Sequence, residues 1–360
     1  MAKAKKEPLF HIVKRDAIPL GKAIGVRAIT ILIAVIVCGI IFLLLAKESP
    51  FEFYKSMFDG GFGTTRRVWQ LFYAVAQLLL VALAVTPAFK MKFWNIGAEG
   101  QILVSGLACA AVMVNLGEKV PLPLLWCLMT VAAVVSGIIW AVIPAIFKAI
   151  WNTNETLFTL MMNYIATFLV TYCINIWVKS GSGTLAPMFD YAMPTIVNKW
   201  LLNIIIITVI TALVYIYLRF SKQGYEIAVV GESQNTARYI GINVKKVIIR
   251  TMILSGALCG IAGLVFVGAQ DYTISTQTAG GLGFTAIMVS WLGKFNPLFM
   301  ILTSFLIAFL KKGAGQVSTD FGINTSISEI ITAVMLFFII GCEFFINYKI
   351  VFRNSKKEVK

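Results

Sequence analysis

The sequence predicts an all-α, polytopic membrane helix bundle with about ten transmembrane or partly spanning helices. Of 360 residues, 59% are hydrophobic and only 13% charged. The charges are concentrated in short intervals between long uncharged runs. A soluble domain needs polar residues over its outer face, whereas a chain patterned in this way must be covered by lipid.

Apolar runs long enough to cross a bilayer fall at Ala28–Ala46, Trp69–Thr86, Phe93–Leu116, Leu122–Phe147, Leu157–Val178, Leu201–Leu218 and Val247–Gly268. Two shorter runs follow, Gly283–Gly293 and Pro297–Leu310, which read as broken or re-entrant helices. A last long run covers Ile327–Tyr348. The basic stretch from Lys3 to Arg27 precedes a first run long enough to span, with no small-residue cleavage pattern after it, so the expectation is a retained first helix. If every run crosses, the segments on the N-terminal side collect most of the Lys and Arg, which puts both termini in the cytoplasm. Lys311 and Lys312 then fall outside, against that bias. The organisation expected is a basic cytoplasmic tail over 1–27, a transmembrane domain over 28–348 with a cytoplasmic loop at 219–246, and a cytoplasmic tail over 349–360.

Charge and composition exclude several functions. The net charge of +15 flanks hydrophobic spans and forms no extended basic face with interleaved aromatics, so no nucleic acid is expected as a partner, only membrane lipid. The six cysteines lie in apolar runs without a CxxC pair, and the single histidine, His11, sits in the basic tail. No metal site and no serine–histidine hydrolase can be assembled from that set, and no GxxxxGK[ST] loop is present to cradle ATP. This polypeptide is therefore expected to have no catalytic residues and no ATPase site of its own.

Four polar stretches stand out. In Phe93–Gln101 (FWNIGAEGQ), Glu99 and Gln101 sit in the first turns of a membrane helix. One reading is structural, with Asn95 capping the helix and Glu99 suiting its dipole while pairing with Lys90 or Lys92. The other places them along a solute pathway. In Asn152–Thr156, Asn154 caps the next helix and Glu155 complements its positive end. Further in, Asn163 and Tyr164 need partners within the bundle or a water-filled cavity. Gly256, Gly260 and Gly263 give a face for close helix approach. Ser105–Cys109 resembles Ser255–Cys259, a hint of internal duplication. Glu329 and Glu343 suit the two ends of the last span.

The fourth stretch is the loop Gly224–Gly241, where Ser233 is a plausible N-cap, Gln234–Ile240 can make about two turns and Gly241 can end them. It is either a solvated connector or a helix that docks on a cytoplasmic subunit. Ala228, Val229, Val230, Ala237, Tyr239 and Ile240 would lack a burial partner in a solvated connector, which favours docking, with the small residue Ala237 on the entering face.

The sequence resembles the permeases of ATP-binding cassette importers for branched-chain amino acids, ribose-like sugars and nucleosides. The resemblance covers nearly the whole chain and is carried by Asn95–Gln101 (NIGAEGQ), Glu155–Ala166 (ETLFTLMMNYIA), Gly231–Gly241 and Gly283–Pro297, the first two pointing to the nucleoside and simple-sugar branch. It implies a substrate path near Asn95, Glu99, Gln101, Asn163 and Tyr164. It also implies a coupling helix formed by Gly231, Glu232, Ser233, Gln234, Asn235, Thr236, Ala237, Arg238, Tyr239, Ile240 and Gly241. Implied partners are a cytoplasmic ATPase that carries the ATP and Mg, a second and non-identical permease, and an extracytoplasmic binding protein or lipoprotein. Docking of that protein is expected on the outer segment Lys179–Trp200, in the cytoplasmic membrane of a bacterium. The rival readings are a stand-alone proton-coupled secondary transporter using Glu99 or Glu329, and a membrane scaffold.

Overall fold

The computed structural model describes residues 10–14, 20–46, 48–178 and 184–352. The start of the N-terminal tail, the end of the C-terminal tail, Lys179 to Gly183 of the segment expected to lie outside, and the side chain of Glu343 are not among the described residues. The chain divides into two compact units, 1–67 with 309–360, and 68–308.

The first unit holds α1 (Leu20–Ala46), α2 (Pro50–Phe62), the end of α12 (Pro297–Asp320) and α13 (Thr325–Asn347). It also holds a two-stranded antiparallel ladder of β1 (Phe10–Lys14) with β2 (Tyr348–Phe352). The ladder sets the two terminal segments side by side. Helix α2 is absent from the sequence reading because its acidic and basic residues interrupt the apolar run. Its signals are nevertheless present: Ser49 accepts from the Phe51 N–H at 3.3 Å and Pro50 opens the first turn. Phe53 and Met57 are buried on one face while Phe51 is 79% exposed on the other. Phe42 packs against Phe53 and Phe321, and Ser56 donates to Asp320 at 2.6 Å. The expected short span Pro297–Leu310 is corrected: the helix continues to Asp320, so Lys311 and Lys312 lie within it rather than in a loop.

The second unit contains α3 (Thr65–Lys90, from Val68 on), α4 (Ala98–Leu116), α5 (Leu122–Trp151), α6 (Glu155–Trp177), α7 (Leu201–Phe220), α8 (Lys222–Glu232), α9 (Gln234–Tyr239), α10 (Val244–Val265) and α11 (Leu282–Leu292). Among the described residues of the whole chain, seven helices are long and apolar enough to cross a membrane, and Ala28–Leu44, Leu282–Leu292 and Glu329–Cys342 form shorter apolar helices. Burial sorts the long helices into two groups. The apolar windows of α3 and of α10 with its extension to Asp271 are 72% and 78% buried, whereas those of α5, α6 and α7 are 22%, 33% and 28% buried. The first pair forms the interior of the unit, and the other three turn apolar side chains outward, as lipid requires.

The interior closes on small residues. A Cβ on Gly256 would meet the Gly137 carbonyl at 2.5 Å, one on Gly260 would meet the Val134 Cα at 2.6 Å, and one on Gly263 would meet the Gly106 nitrogen at 2.7 Å. The GxxxG face expected from the sequence thus packs α10 directly on α5 and α4. Ser105 and Ser255, the matched serines of the possible duplication, are both fully buried there.

Candidate functional site

Helix α4 begins five residues later than the apolar run suggested. Phe93–Gly97 is a compact turn, with Gly97 as the N-cap and no side-chain cap. Asn95 is therefore not the capping residue. It is fully buried, its amide donates to Ser255 Oγ at 3.3 Å, and its carbonyl accepts from the Gly97 N–H at 3.1 Å and from Gln101 Nε2 at 3.3 Å. From α6, Asn163 Oδ1 accepts the Gly100 N–H at 2.8 Å and Nδ2 donates to the Ile96 carbonyl at 3.0 Å, while Thr159 accepts the Ile96 N–H at 3.2 Å. A turn carrying unpaired backbone groups could not be buried; Asn95, Thr159 and Asn163 satisfy its backbone, and Gln101 and Ser255 hold Asn95 in place. Gly100 is required by the contact, since a Cβ would lie 2.8 Å from Asn163 Oδ1.

Glu99 departs from the expected pairing with Lys90 or Lys92. Its two carboxylate oxygens accept the N–H groups of Gly281 and Gly283, both at 2.8 Å. Those amides belong to the N-terminus of α11, whose N-cap Gly281 has φ +72° and offers no side chain of its own. One carboxylate therefore serves two positive helix ends, its own and that of α11. Helix α11 has 11 residues, about 16 Å and roughly half of a hydrocarbon core, and so short a helix depends on its neighbours for stability. A Cβ on Gly283 would approach the Glu99 nitrogen to 2.6 Å. Trp94 and Trp291 pack with ring centroids 5.6 Å apart, fixing the far end of α11 to the same turn.

The structure brings Asn95, Glu99, Gln101 and Asn163 together around this turn. It does not bring Tyr164 there: that side chain is 57% exposed on the outer face of α6. At the start of α6, Asn154 caps by accepting the Leu157 N–H at 3.2 Å, and Glu155 pairs with Lys148 at 2.8 Å. Glu329 is exposed on α13.

The 219–246 loop is largely helical. Helix α8 is capped by Ser221, whose Oγ accepts the Gly224 N–H at 2.9 Å, and it ends at Ser233, which caps α9 by accepting the Thr236 N–H at 3.2 Å. Gly241 ends the turn with φ +84°. Ile227, Val230 and Ala237 are buried within the chain, and a Cβ on Gly231 would run into the Lys90 carbonyl. Glu226 pairs with Arg250 at 2.9 Å. Ala237 is therefore not on an entering face, because it is used internally. The large apolar or aromatic residues left outward include Tyr239, at 94% exposure, with Phe220, Tyr225 and Ile240.

A half-length helix held at its N-terminus by a neighbouring carboxylate, in a bundle whose outer helices face lipid, is the build of a polytopic membrane protein with an interrupted helix, as membrane transport proteins use at their sites. The chain belongs to the family described as branched-chain amino acid transport system / permease component, whose model matches residues 68–340. It is the transmembrane permease subunit of an ATP-binding cassette importer and a multi-pass protein of the cytoplasmic membrane. The chain is similar to a glucose ABC transporter permease protein of Haloferax volcanii, at 28% identity over 93% of this chain and 92% of that one. It is similar to the guanosine ABC transporter permease protein NupP of Bacillus subtilis, at 29% identity over 86% and 91%. The nucleoside ABC transporter permease protein NupB of Lactococcus lactis is 29% identical over 84% of this chain and 86% of its own. No solved structure matches the chain.

Proposed function

We propose that this permease moves nucleosides or simple sugars inward by alternating access, driven by a separate cytoplasmic ATPase that docks on the 219–246 loop. The relatives named for glucose, guanosine and nucleosides support the substrate class. In this reading both termini are cytoplasmic, and the chain performs no bond chemistry and holds no cofactor, the ATP and Mg residing on the ATPase. A second, non-identical permease and an extracytoplasmic binding protein or lipoprotein complete the assembly. Asn95, Gln101 and Asn163 act by shaping the turn beside the path, Glu99 by holding α11 against it, and Tyr164 faces the second permease or lipid.

The observation that carries the coupling role is the contrast within the loop. Its base is rigid, with Gly231 seated on the Lys90 carbonyl and Ala237 fully buried, while Tyr239 at its tip is 94% exposed. A large amphipathic residue on a rigid mount suits contact with a partner. A photo-crosslinking benzoylphenylalanine at position 239 should yield an adduct with the ATPase in intact membranes, and the same probe at 164 should not. An adduct with neither ATPase nor any cytoplasmic protein at 239 rejects the docking role. Uptake of guanosine, uridine and D-glucose against L-leucine tests the substrate class, and leucine alone would reject it.

A further inference from the structure

After Val265, α10 widens into a π-helical turn over Phe266–Asp271, and from Tyr272 to Gly281 the chain is not helical at all until α11 begins. Such turns bulge where a side chain must be re-aimed, and irregular backbone inside a membrane bundle is tolerated where it lines a cavity or is buried in protein. Here the π turn re-aims two polar side chains at α3. Gln270 accepts from the amide of Gln77 and donates to Asp271 Oδ1 at 2.9 Å. One turn from Gln77 on the same face of α3 stands Tyr73, 6% exposed, whose hydroxyl has no hydrogen-bond partner among the described residues. Asp271 and Tyr272 are among its electrostatic neighbours. Tyr272 adds an aromatic ring, packed 5.2 Å from that of Phe189. The outer segment fastens the turn in place: Met188 N–H donates to the Tyr272 carbonyl at 2.7 Å, and Met193 N–H to the Gly268 carbonyl at 2.9 Å.

The leftover capacity of this group is specific. Tyr73 offers an unused hydroxyl, and neither Gln77 Oε1 nor the second oxygen of Asp271 accepts a bond from the described residues. A buried phenol without a partner is a standing cost, which a ligand hydroxyl accepting from it would remove. A carboxylate oxygen and an amide carbonyl accept two hydroxyls, and a phenol donates back, which is the pattern a vicinal diol satisfies. We propose that Tyr73, Gln77 and Asp271, with Gln270 as the positioning residue, form a binding site for the vicinal hydroxyls of a neutral solute, a ribose or hexose diol, with Tyr272 covering its apolar face.

The inference rests on the substrate class proposed above, and the test separates the two. The permease assembly, without its external binding protein, is placed in nanodiscs and probed by saturation-transfer difference NMR with uridine, D-glucose, 2′,3′-dideoxyuridine and L-leucine. Saturable binding of uridine or D-glucose is expected, with the dideoxy compound several-fold weaker. Tyr73→Phe removes only an unpartnered hydroxyl, so folding should be unaffected while diol affinity falls about threefold to tenfold. Asp271→Asn should abolish the preference for uridine over its dideoxy analogue. Diol binding that is unchanged in both variants overturns the site and leaves the substrate class standing. Binding of leucine with no diol preference, or of none of the probes, overturns the site, and leucine uptake by the complete assembly would overturn the substrate class as well.

Discussion

Glu99→Gln probes the contact that differs most from the sequence reading. The wild-type carboxylate accepts two N–H groups at 2.8 Å, and the amide that replaces it can accept only one of them, with its NH2 set against the other. Losing a charge-assisted bond at a buried donor costs about 1.5–3 kcal/mol. Removing the charge from a partly buried helix N-terminus costs up to about 2 kcal/mol. The two terms overlap, so about 2–4 kcal/mol is the expected loss in the stability of α11 against local opening. At 1.4 kcal/mol per decade, amide exchange in the first turn of α11 should speed up by roughly 30-fold to several hundred-fold. Hydrogen exchange with mass spectrometry on the nanodisc assembly reads this directly over residues 281–292. Uptake should fall at least tenfold while insertion and assembly persist. Lys90→Ala is the control, since Lys90 does not hold the Glu99 carboxylate, and exchange in α11 should stay at the wild-type rate. Unchanged exchange in Glu99→Gln, or faster exchange in α11 of Lys90→Ala, refutes the capping role.

Three further outcomes follow from the packing. Ala237→Asp buries an unpaired carboxylate in the chain's own loop, at a cost of several kcal/mol, so trypsin should cut the 219–246 loop faster even without the ATPase. Tyr239→Ala should leave proteolysis unchanged and instead lose the ATPase during detergent purification; equal retention would assign the tip to solvent. Gly256→Leu forces α10 away from the Gly137 carbonyl, and overpacking of about 1–3 kcal/mol or more should cut the yield of folded permease by size-exclusion chromatography, whereas Gly315→Ala, with nothing within 4 Å of its Cβ, should not.

The bundle was legible because a lipid-facing helix must be apolar over its full length, and the lengths of α5, α6 and α7 follow from that alone. The GxxxG face at Gly256 and the caps at Asn154, Ser221 and Ser233 were legible or present as local signals, since a cap depends on the residues beside it. What failed was partner choice. Glu99 lies closer in sequence to Lys90 and Lys92 than to Gly281, and nothing local reports that α11 begins at its side chain. Ala237 reads as outward in the sequence because the apolar residues of the loop have no visible cover there, whereas the structure folds 222–232 into α8, whose buried face includes Ile227 and Val230, and buries Ala237. The π turn carries no periodicity of its own, so nothing local marks Gln270, just past the span expected to end at Gly268, as the partner of Gln77.

The energy source separates an ATP-driven permease from a secondary transporter. Proteoliposomes carrying the complete assembly, with ATP on the ATPase side and the proton gradient collapsed, should accumulate guanosine, uridine or D-glucose, and the permease alone under an imposed proton gradient should accumulate none. Uptake by the permease alone, driven by the gradient and indifferent to ATP, would contradict the account and establish a secondary transporter.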